Sequence, residues 1–305
     1  MLKKPLRGIV PPIITPLLGN NELDVMGLEN LISRMIDSGV AGIFVLGTSG
    51  EAQSLSTDLK KKLIKETCRI ASMSVPVLVG ITDTCFQNSL DIAQYAYSCN
   101  ADALVAAPPY YFPMGQPELV NYYNNLADSV PLPLFLYNMP SHVKIYIEPE
   151  TVLRLSENAN IVGLKDSSSN GVYFQKLLYL LHDKKEFTLL CGPEEMTAEV
   201  VLMGAHGGVN GGANLFPKLY VDMYNAAIER NYDDLKILQY KVMCVSTYLY
   251  DIGRFSSSYL KGIKTALKIM NICSNDMAIP FDKFKQDEYN LVKIKLNELK
   301  ELGIW

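Results

Sequence analysis

Three groups of residues stand where apolar runs end, and their types suggest one kind of chemistry. The stretch IVGLKDSSS carries Lys165 at the end of a strand-like run, directly before Asp166 and three serines. LPLFLYN ends on Tyr137 and Asn138, and AGIFVLG leads into Thr48, Ser49, Gly50 and Glu51. Strand alternation turns Val162 and Leu164 one way and Ile161, Gly163 and Lys165 the other. An ordinary lysine of pKa about 10.4 is unprotonated in roughly one molecule per 2,500 at neutral pH, so an amine nucleophile needs burial to disfavour its ammonium. A desolvated Lys165 is competent to form a Schiff base with a ketone, and a phenol at Tyr137 is placed to move the protons. The plainer alternatives are a lysine paired with Asp166 and a core tyrosine with a wet hydroxyl.

The GTSGE turn offers two hydroxyls and several amides, a combination suited to gripping a small carboxylate, though an ordinary capped turn has the same composition. It is not a G-x-S-x-G nucleophile elbow. Glu194 and Glu195 follow another apolar run; they are expected either to accept hydrogen bonds from substrate hydroxyls or to sit as a solvated helix start. Cys68, Cys85, Cys99, Cys191, Cys244 and Cys273 are dispersed without a C-x-x-C pair, and His142, His182 and His206 are far apart. No metal site and no cofactor are expected from so sparse a ligand set.

The elements that must position these groups follow a clear rhythm. The chain has 305 residues, 49% of them hydrophobic, enough for a substantial core. Its formal charge of -4 and pI near 5.5 give no broad basic field for nucleic acid or anionic lipid. Pro5 and Arg7 interrupt the start, MLKKPLRGIV, so no secretory leader is expected, and no run is long enough to span a membrane. A reducing, cytoplasmic location fits the scattered thiols.

Strand-like runs GIVPPIIT, AGIFVLG, VPVLVGI, ADALVAA, LPLFLYN, IVGLKD, FTLLCG and HGGVNGG alternate with helical segments, the order of βα units on a parallel sheet. Eight such units, with no G-x-G-x-x-G turn in the first, favour a closed (β/α)8 TIM barrel over an open doubly wound sheet. In DLKKKLIKETCRIASM, Leu59, Leu63, Thr67, Ile70 and Ala71 share one face. Residues 1–230 are read as the barrel catalytic domain. Residues 231–305 are read as an all-helical C-terminal extension, with segments near 232–252, 256–271 and 284–301 covering either the barrel flank or a partner subunit. In a barrel the loops after the strands form the active face, which puts all three polar groups on one rim.

These motifs resemble the dihydrodipicolinate synthase and N-acetylneuraminate lyase family of Schiff-base-forming barrel enzymes. The resemblance runs through PPIITP at 11–16, GTSGEAQSLS at 47–56, PPYY at 108–111, YNMP at 137–140, GLKDSS at 163–168 and GAHGGVNGGAN at 204–214. It implies that Lys165 forms an imine with pyruvate or a related keto acid and that Tyr137 transfers protons. It also implies that Thr48 and Ser49 hold the carboxylate and that the backbone of Val209 faces the bound keto acid. Tyr111 matches a tyrosine given across a subunit contact to the neighbouring site, which implies a homo-oligomer, often a tetramer.

Two departures bear on the second substrate. Where dihydrodipicolinate synthases usually have an arginine for the aldehyde's carboxylate, this chain has His142, which lacks the bidentate fork and is mostly neutral near pH 7. GGVNGGAN lacks the Ser-Thr-Tyr pattern of sialic acid lyases and looks more like aldolases acting on 2-keto-3-deoxy sugar acids, with Glu195 available to substrate hydroxyls. The expected function is a pyruvate-dependent carbon-carbon lyase or aldolase, its partner aldehyde coming from a 2-keto-3-deoxy sugar acid or an N-acetylneuraminate-like substrate. The alternatives are a synthase condensing pyruvate with aspartate semialdehyde, a dehydratase of a related keto acid, and a keto-acid-binding or assembly protein without turnover.

Overall fold

The structure is a computed structural model that describes residues 2–305. Its eight parallel strands are β1 (Gly8–Ile9), β2 (Ile43–Val45), β3 (Val77–Gly80), β4 (Ala103–Ala106), β5 (Leu134–Asn138), β6 (Ile161–Asp166), β7 (Thr188–Cys191) and β8 (Gly207–Gly208). Each pairs with its sequence neighbour from β2 round to β8, and β8 pairs with β1. The ring closes between β1 and β2 through a parallel bridge at Pro12 and Phe44. There Ala41 N–H donates to Ile9 O at 2.8 Å and Ile13 N–H to Phe44 O at 2.9 Å. This is the expected (β/α)8 barrel.

The first and last strands are shorter than the apolar runs that announce them. Pro11 and Pro12 have no N–H to give the ladder, so the run from Gly8 to Thr15 keeps only two strand residues and the isolated bridge. After β8 the chain turns into a 3-10 segment at Gly211–Asn214, because Asn214 draws it across: its Nδ2 donates to Pro12 O and its Oδ1 accepts from Ile14 N–H, each at 3.0 Å. A small antiparallel hairpin, Leu17–Leu18 with Glu22–Leu23, adds an element absent from the sequence reading; Gly19 takes the positive φ of its turn.

Outside the strands lie α1 (Val25–Asp37), α2 (Thr57–Ala71), α3 (Phe86–Ser98), α4 (Gln116–Ser129), α5 (Pro149–Leu155), α6 (Gly171–Leu180), α7 (Glu194–Leu202) and α8 (Pro217–Glu229). In α2, Ser56 caps the first turn by accepting from Leu59 N–H at 3.3 Å, and Leu59, Leu63, Ile64, Thr67 and Ala71 form the buried face. The face therefore includes Ile64, while Ile70 is only half-buried at its edge. Pro149 opens α5 as its fixed φ suggests.

Three helices follow: α9 (Tyr232–Leu249), α10 (Ser258–Ile269) and α11 (Gln286–Glu301). Their apolar stripes, including Val242, Val245, Leu249, Ile263, Leu267, Val292 and Leu296, are buried, and α9 packs along α7 and α8. The extension thus covers the barrel flank in the single chain. Among the described residues, no helix is long and apolar enough to cross a membrane.

Inside the barrel, β5 and β6 are in register so that Phe135 stands opposite Gly163 and Tyr137 opposite Lys165. A Cβ on Gly163 would lie 2.6 Å from both Phe135 Cε1 and Thr188 O. The glycine is needed because the Phe135 ring occupies the space its side chain would take. Lys165 consequently rises from a packed aromatic floor.

Candidate active site

At the C-terminal ends of the strands the barrel opens into a cavity of about 730 Å³, lined by residues from the strand ends and from the helical extension. Lys165, Tyr137, Thr48, Ser49, Val209, His142 and Glu195 all line it. The structure therefore brings these residues together as the sequence suggested, with the exception of Tyr111. Tyr111 lies outside: it is 76% exposed and packs edge-on against Phe112, with ring centroids 5.0 Å apart, while its neighbour Tyr110 reaches the cavity.

Lys165 is the penultimate residue of β6 and is buried, its Nζ 4.0 Å from the centre of the Tyr137 ring and 5.2 Å from that of Phe44. The two rings stand edge to face at 88°. Pairing with Asp166 was the plainer expectation for this lysine, and the carboxylate's partners argue against it. Asp166 Oδ1 accepts from Asn138 Nδ2 at 2.8 Å and Ser168 N–H at 3.1 Å, and Oδ2 accepts from Ser168 Oγ at 2.9 Å. Asp166 points to the helix side of β6, as alternation demands. Burial raises its pKa, and the hydrogen bonds from Asn138 and Ser168 oppose that rise. Lys165 is left as an amine among aromatic faces and has no ion-pair partner among the described residues.

Tyr137 is buried to its tip, where the hydroxyl meets Thr48 Oγ1 at 3.2 Å. Thr48 and Ser49 belong to a single 3-10 turn, Thr48–Gly50, bracketed by two non-glycine residues of positive φ, Leu46 at 60° and Glu51 at 57°. Such left-handed residues cost on the order of 1–3 kcal/mol each and persist where the surroundings hold them. Gly80 permits the first, since a Cβ there would come within 2.1 Å of Leu46 O. Ser49 Oγ lies 3.4 Å from the hydroxyl of Tyr259, which comes from α10. Val209 is buried and its N–H is engaged by Cys191 O at 2.7 Å.

The two glutamates at the start of α7 have different fates. Glu195 is exposed at the cavity wall. Glu194 is buried and carries a network: Oε2 accepts from Gly212 N–H at 2.8 Å, and Oε1 accepts from Tyr220 at 2.5 Å and Tyr250 at 2.7 Å. Burial pushes its pKa up to about 7, outweighing these donors. Glu194 is therefore no solvated helix start. His142 sits on the open rim, its Nδ1 3.0 Å from Ser141 Oγ. Burial of part of the ring and then the nearby charge of Lys165 hold its pKa below the ordinary value, so it is neutral at pH 7.

A model of the dihydrodipicolinate synthetase family matches residues 5–299. The chain belongs to that family. This family member is 31% identical over 299 residues to a 4-hydroxy-tetrahydrodipicolinate synthase of Methanocaldococcus jannaschii, covering 98% of this chain and 99% of that one. It is 33% identical over 225 residues to a probable 2-dehydro-3-deoxy-D-pentonate aldolase of Escherichia coli K12, covering 73% and 75% of the two chains. Among solved structures, a dihydrodipicolinate synthase from Bacteroides thetaiotaomicron superposes with a TM-score of 0.95 at 52% identity, over 97% of this chain and all of that one. YagE, an Escherichia coli K12 prophage protein solved in complex with pyruvate, gives 0.92 at 26% identity, over 97% and 99% of the chains. With a relative named as synthase over 98% of its length and one named as aldolase over 73%, this dihydrodipicolinate synthetase family member is an enzyme of the lyase class.

Sequence reasoning did not find the contribution of the extension: Tyr250, Tyr259, Ser256 and Ser257 also line the cavity. No local motif marks them. The one available signal was the density of tyrosine and serine between the first two tail helices.

Proposed function

We propose that the protein is a class I aldolase in which Lys165 forms an imine with pyruvate and the resulting enamine joins, or is released from, a polyhydroxylated aldehyde. Lys165 Nζ adds to the C2 carbonyl of pyruvate to give a carbinolamine, and loss of water leaves the imine. Loss of a proton from C3 gives the enamine, whose carbon attacks the aldehyde carbon; water then frees the product and regenerates the amine. Tyr137 takes and returns the protons, with the Thr48 hydroxyl beside it as the next stop. Thr48 and Ser49 hold the pyruvate carboxylate, and Val209 forms the opposite wall.

The observation that carries the reading is the charge of the cavity wall: Lys165 is the one lysine or arginine among its described residues, seated beneath Tyr137, while hydroxyls and the carboxyl of Glu195 line the remaining space. A partner aldehyde bearing its own carboxylate finds no second cation there, because His142 is neutral. Hydroxyl groups find acceptors. Condensation of pyruvate with aspartate semialdehyde is the second reading. It is supported by the 52% identity to the chain described as a dihydrodipicolinate synthase.

The exposed Tyr111 and Phe112 pair supports assembly with further copies of the chain, as a tetramer in which Tyr111 approaches a neighbouring cavity. The six unpaired cysteines support a reducing, cytoplasmic setting. Borohydride reduction in the presence of pyruvate, followed by peptide mass analysis, tests the imine: a reduced pyruvate adduct is expected on Lys165 and none in Lys165→Ala. Folded protein with no adduct overturns the mechanism. A panel of sugar-derived aldehydes against aspartate semialdehyde then separates the two readings.

A further inference from the structure

The turn that carries Thr48 and Ser49 ends on a glutamate whose side chain leaves the cavity and enters the helical extension. Glu51 and Lys264 of α10 form an ion pair with side-chain exposures of 1% and 0%. Glu51 Oε2 also accepts from Ala278 N–H at 2.8 Å, and Lys264 Nζ donates to Asp276 O at 2.7 Å. The pair therefore joins three pieces of chain: the 3-10 turn of the cavity wall, the helix that supplies Tyr259, and the 276–281 stretch whose Pro280 and Phe281 also line the cavity.

An ion pair buried this completely is a poor choice for stability alone, since desolvating both charges costs about what their attraction returns, and apolar replacements are often neutral or better. What it provides is direction. Glu51 sits at φ 57° one residue beyond the turn, a conformation that an L-residue adopts only when held. On the other side Gly50 O accepts from Thr15 Oγ1 at 2.6 Å. The turn is thus tied at its end to the barrel through Gly50 and to the extension through Glu51. Its two hydroxyls are aimed by these ties and by Tyr259 against Ser49.

We propose that Glu51 and Lys264 are positioning residues for keto-acid binding: the pair fixes the Thr48–Ser49 turn against α10, so the helical extension is a working part of the carboxylate site. This rests on the reading of Thr48 and Ser49 as the carboxylate grip. Neither residue touches the reacting atoms.

The test is the pyruvate dependence of borohydride trapping at Lys165, read by intact mass, which needs no knowledge of the aldehyde. In Lys264→Met the pyruvate concentration for half-maximal trapping is expected to rise about tenfold or more, the plateau adduct staying near complete, because a displaced turn weakens binding and leaves the amine intact. The double variant Glu51→Met with Lys264→Met removes the unpaired charge; it is expected to melt near the wild-type temperature while keeping the raised half-saturation. Glu51→Gln, isosteric and the mildest change, carries the same expectation in smaller measure and serves where the methionine variants do not fold. A folded variant whose half-saturation stays within about twofold of wild type overturns the proposal, as does a loss of plateau with unchanged half-saturation. Failure of the underlying reading looks different: wild-type protein itself gives no adduct.

Discussion

Glu194 offers a measurement in which sign and size both follow from the structure. Its carboxyl has an ordinary pKa of 4.5, expected of the unfolded chain, and burial lifts it to about 7 in the fold. A carboxyl with a raised folded pKa binds its proton more tightly when folded, so its favourable contribution is complete below pH 4.5 and is lost as pH rises to about 7. A rise from 4.5 to about 7 corresponds to about 3 kcal/mol of stability withdrawn across that window. Glu194→Gln removes the titration. The amide keeps an acceptor for Tyr220 and Tyr250 but turns an NH2 toward Gly212 N–H, a mismatch that costs about 1–3 kcal/mol at every pH. Urea unfolding of both proteins at pH 5 and pH 7.5 compares the two slopes: the variant starts less stable at pH 5 and falls less steeply. Parallel losses in wild type and variant would refute the assignment of this titration to Glu194.

Other expectations are simpler to check. Tyr137→Phe keeps the ring over Lys165 but removes the hydroxyl beside Thr48, and kcat should fall roughly 100-fold or more, in line with the loss of a proton-transfer group, with borohydride trapping slowed but not abolished. His142→Arg puts a permanent cation on the rim; kcat/KM for aspartate semialdehyde relative to a neutral sugar aldehyde should rise about tenfold or more, the value of a charge-assisted contact. Gly163→Ala places a Cβ against Phe135 and Thr188 O and should destabilise the barrel by about 1–3 kcal/mol in urea unfolding, as overpacking does.

The juxtaposition of Lys165 and Tyr137 was legible because it needs only local rules. Alternation sets which face of a strand a residue takes, and neighbouring parallel strands of a βα series place their ends side by side. The barrel order was legible for the same reason, from runs long enough to reveal their period. The ends of that series were misjudged in length, since Pro11, Pro12 and the glycines after His206 are apolar or neutral in pattern yet do not sustain a ladder.

Glu194 had two readings in the sequence because the residues that decide it, Tyr220 in α8 and Tyr250 just after α9, lie 26 and 56 positions away. Tyr259 meets Ser49 across 210 positions, and Ala278 meets Glu51 across 227. Contacts at such separation leave no periodicity to read. Tyr111 shows the opposite limit: its motif was plain, but its ring stands in solvent, away from the cavity.

The aromatic floor under Lys165 has a kinetic consequence. Because Phe135 fills the barrel below the amine, the well is blind, and everything that reaches the lysine passes the same rim. On the proposed aldolase reading, the keto acid takes the deep position, and the aldehyde, arriving above it, closes the way out. On that reading the order of arrival is imposed by shape: in condensation the small keto acid must be loaded first, in cleavage it is unloaded last, and an aldehyde that enters an empty well is a competitor of pyruvate and not its partner.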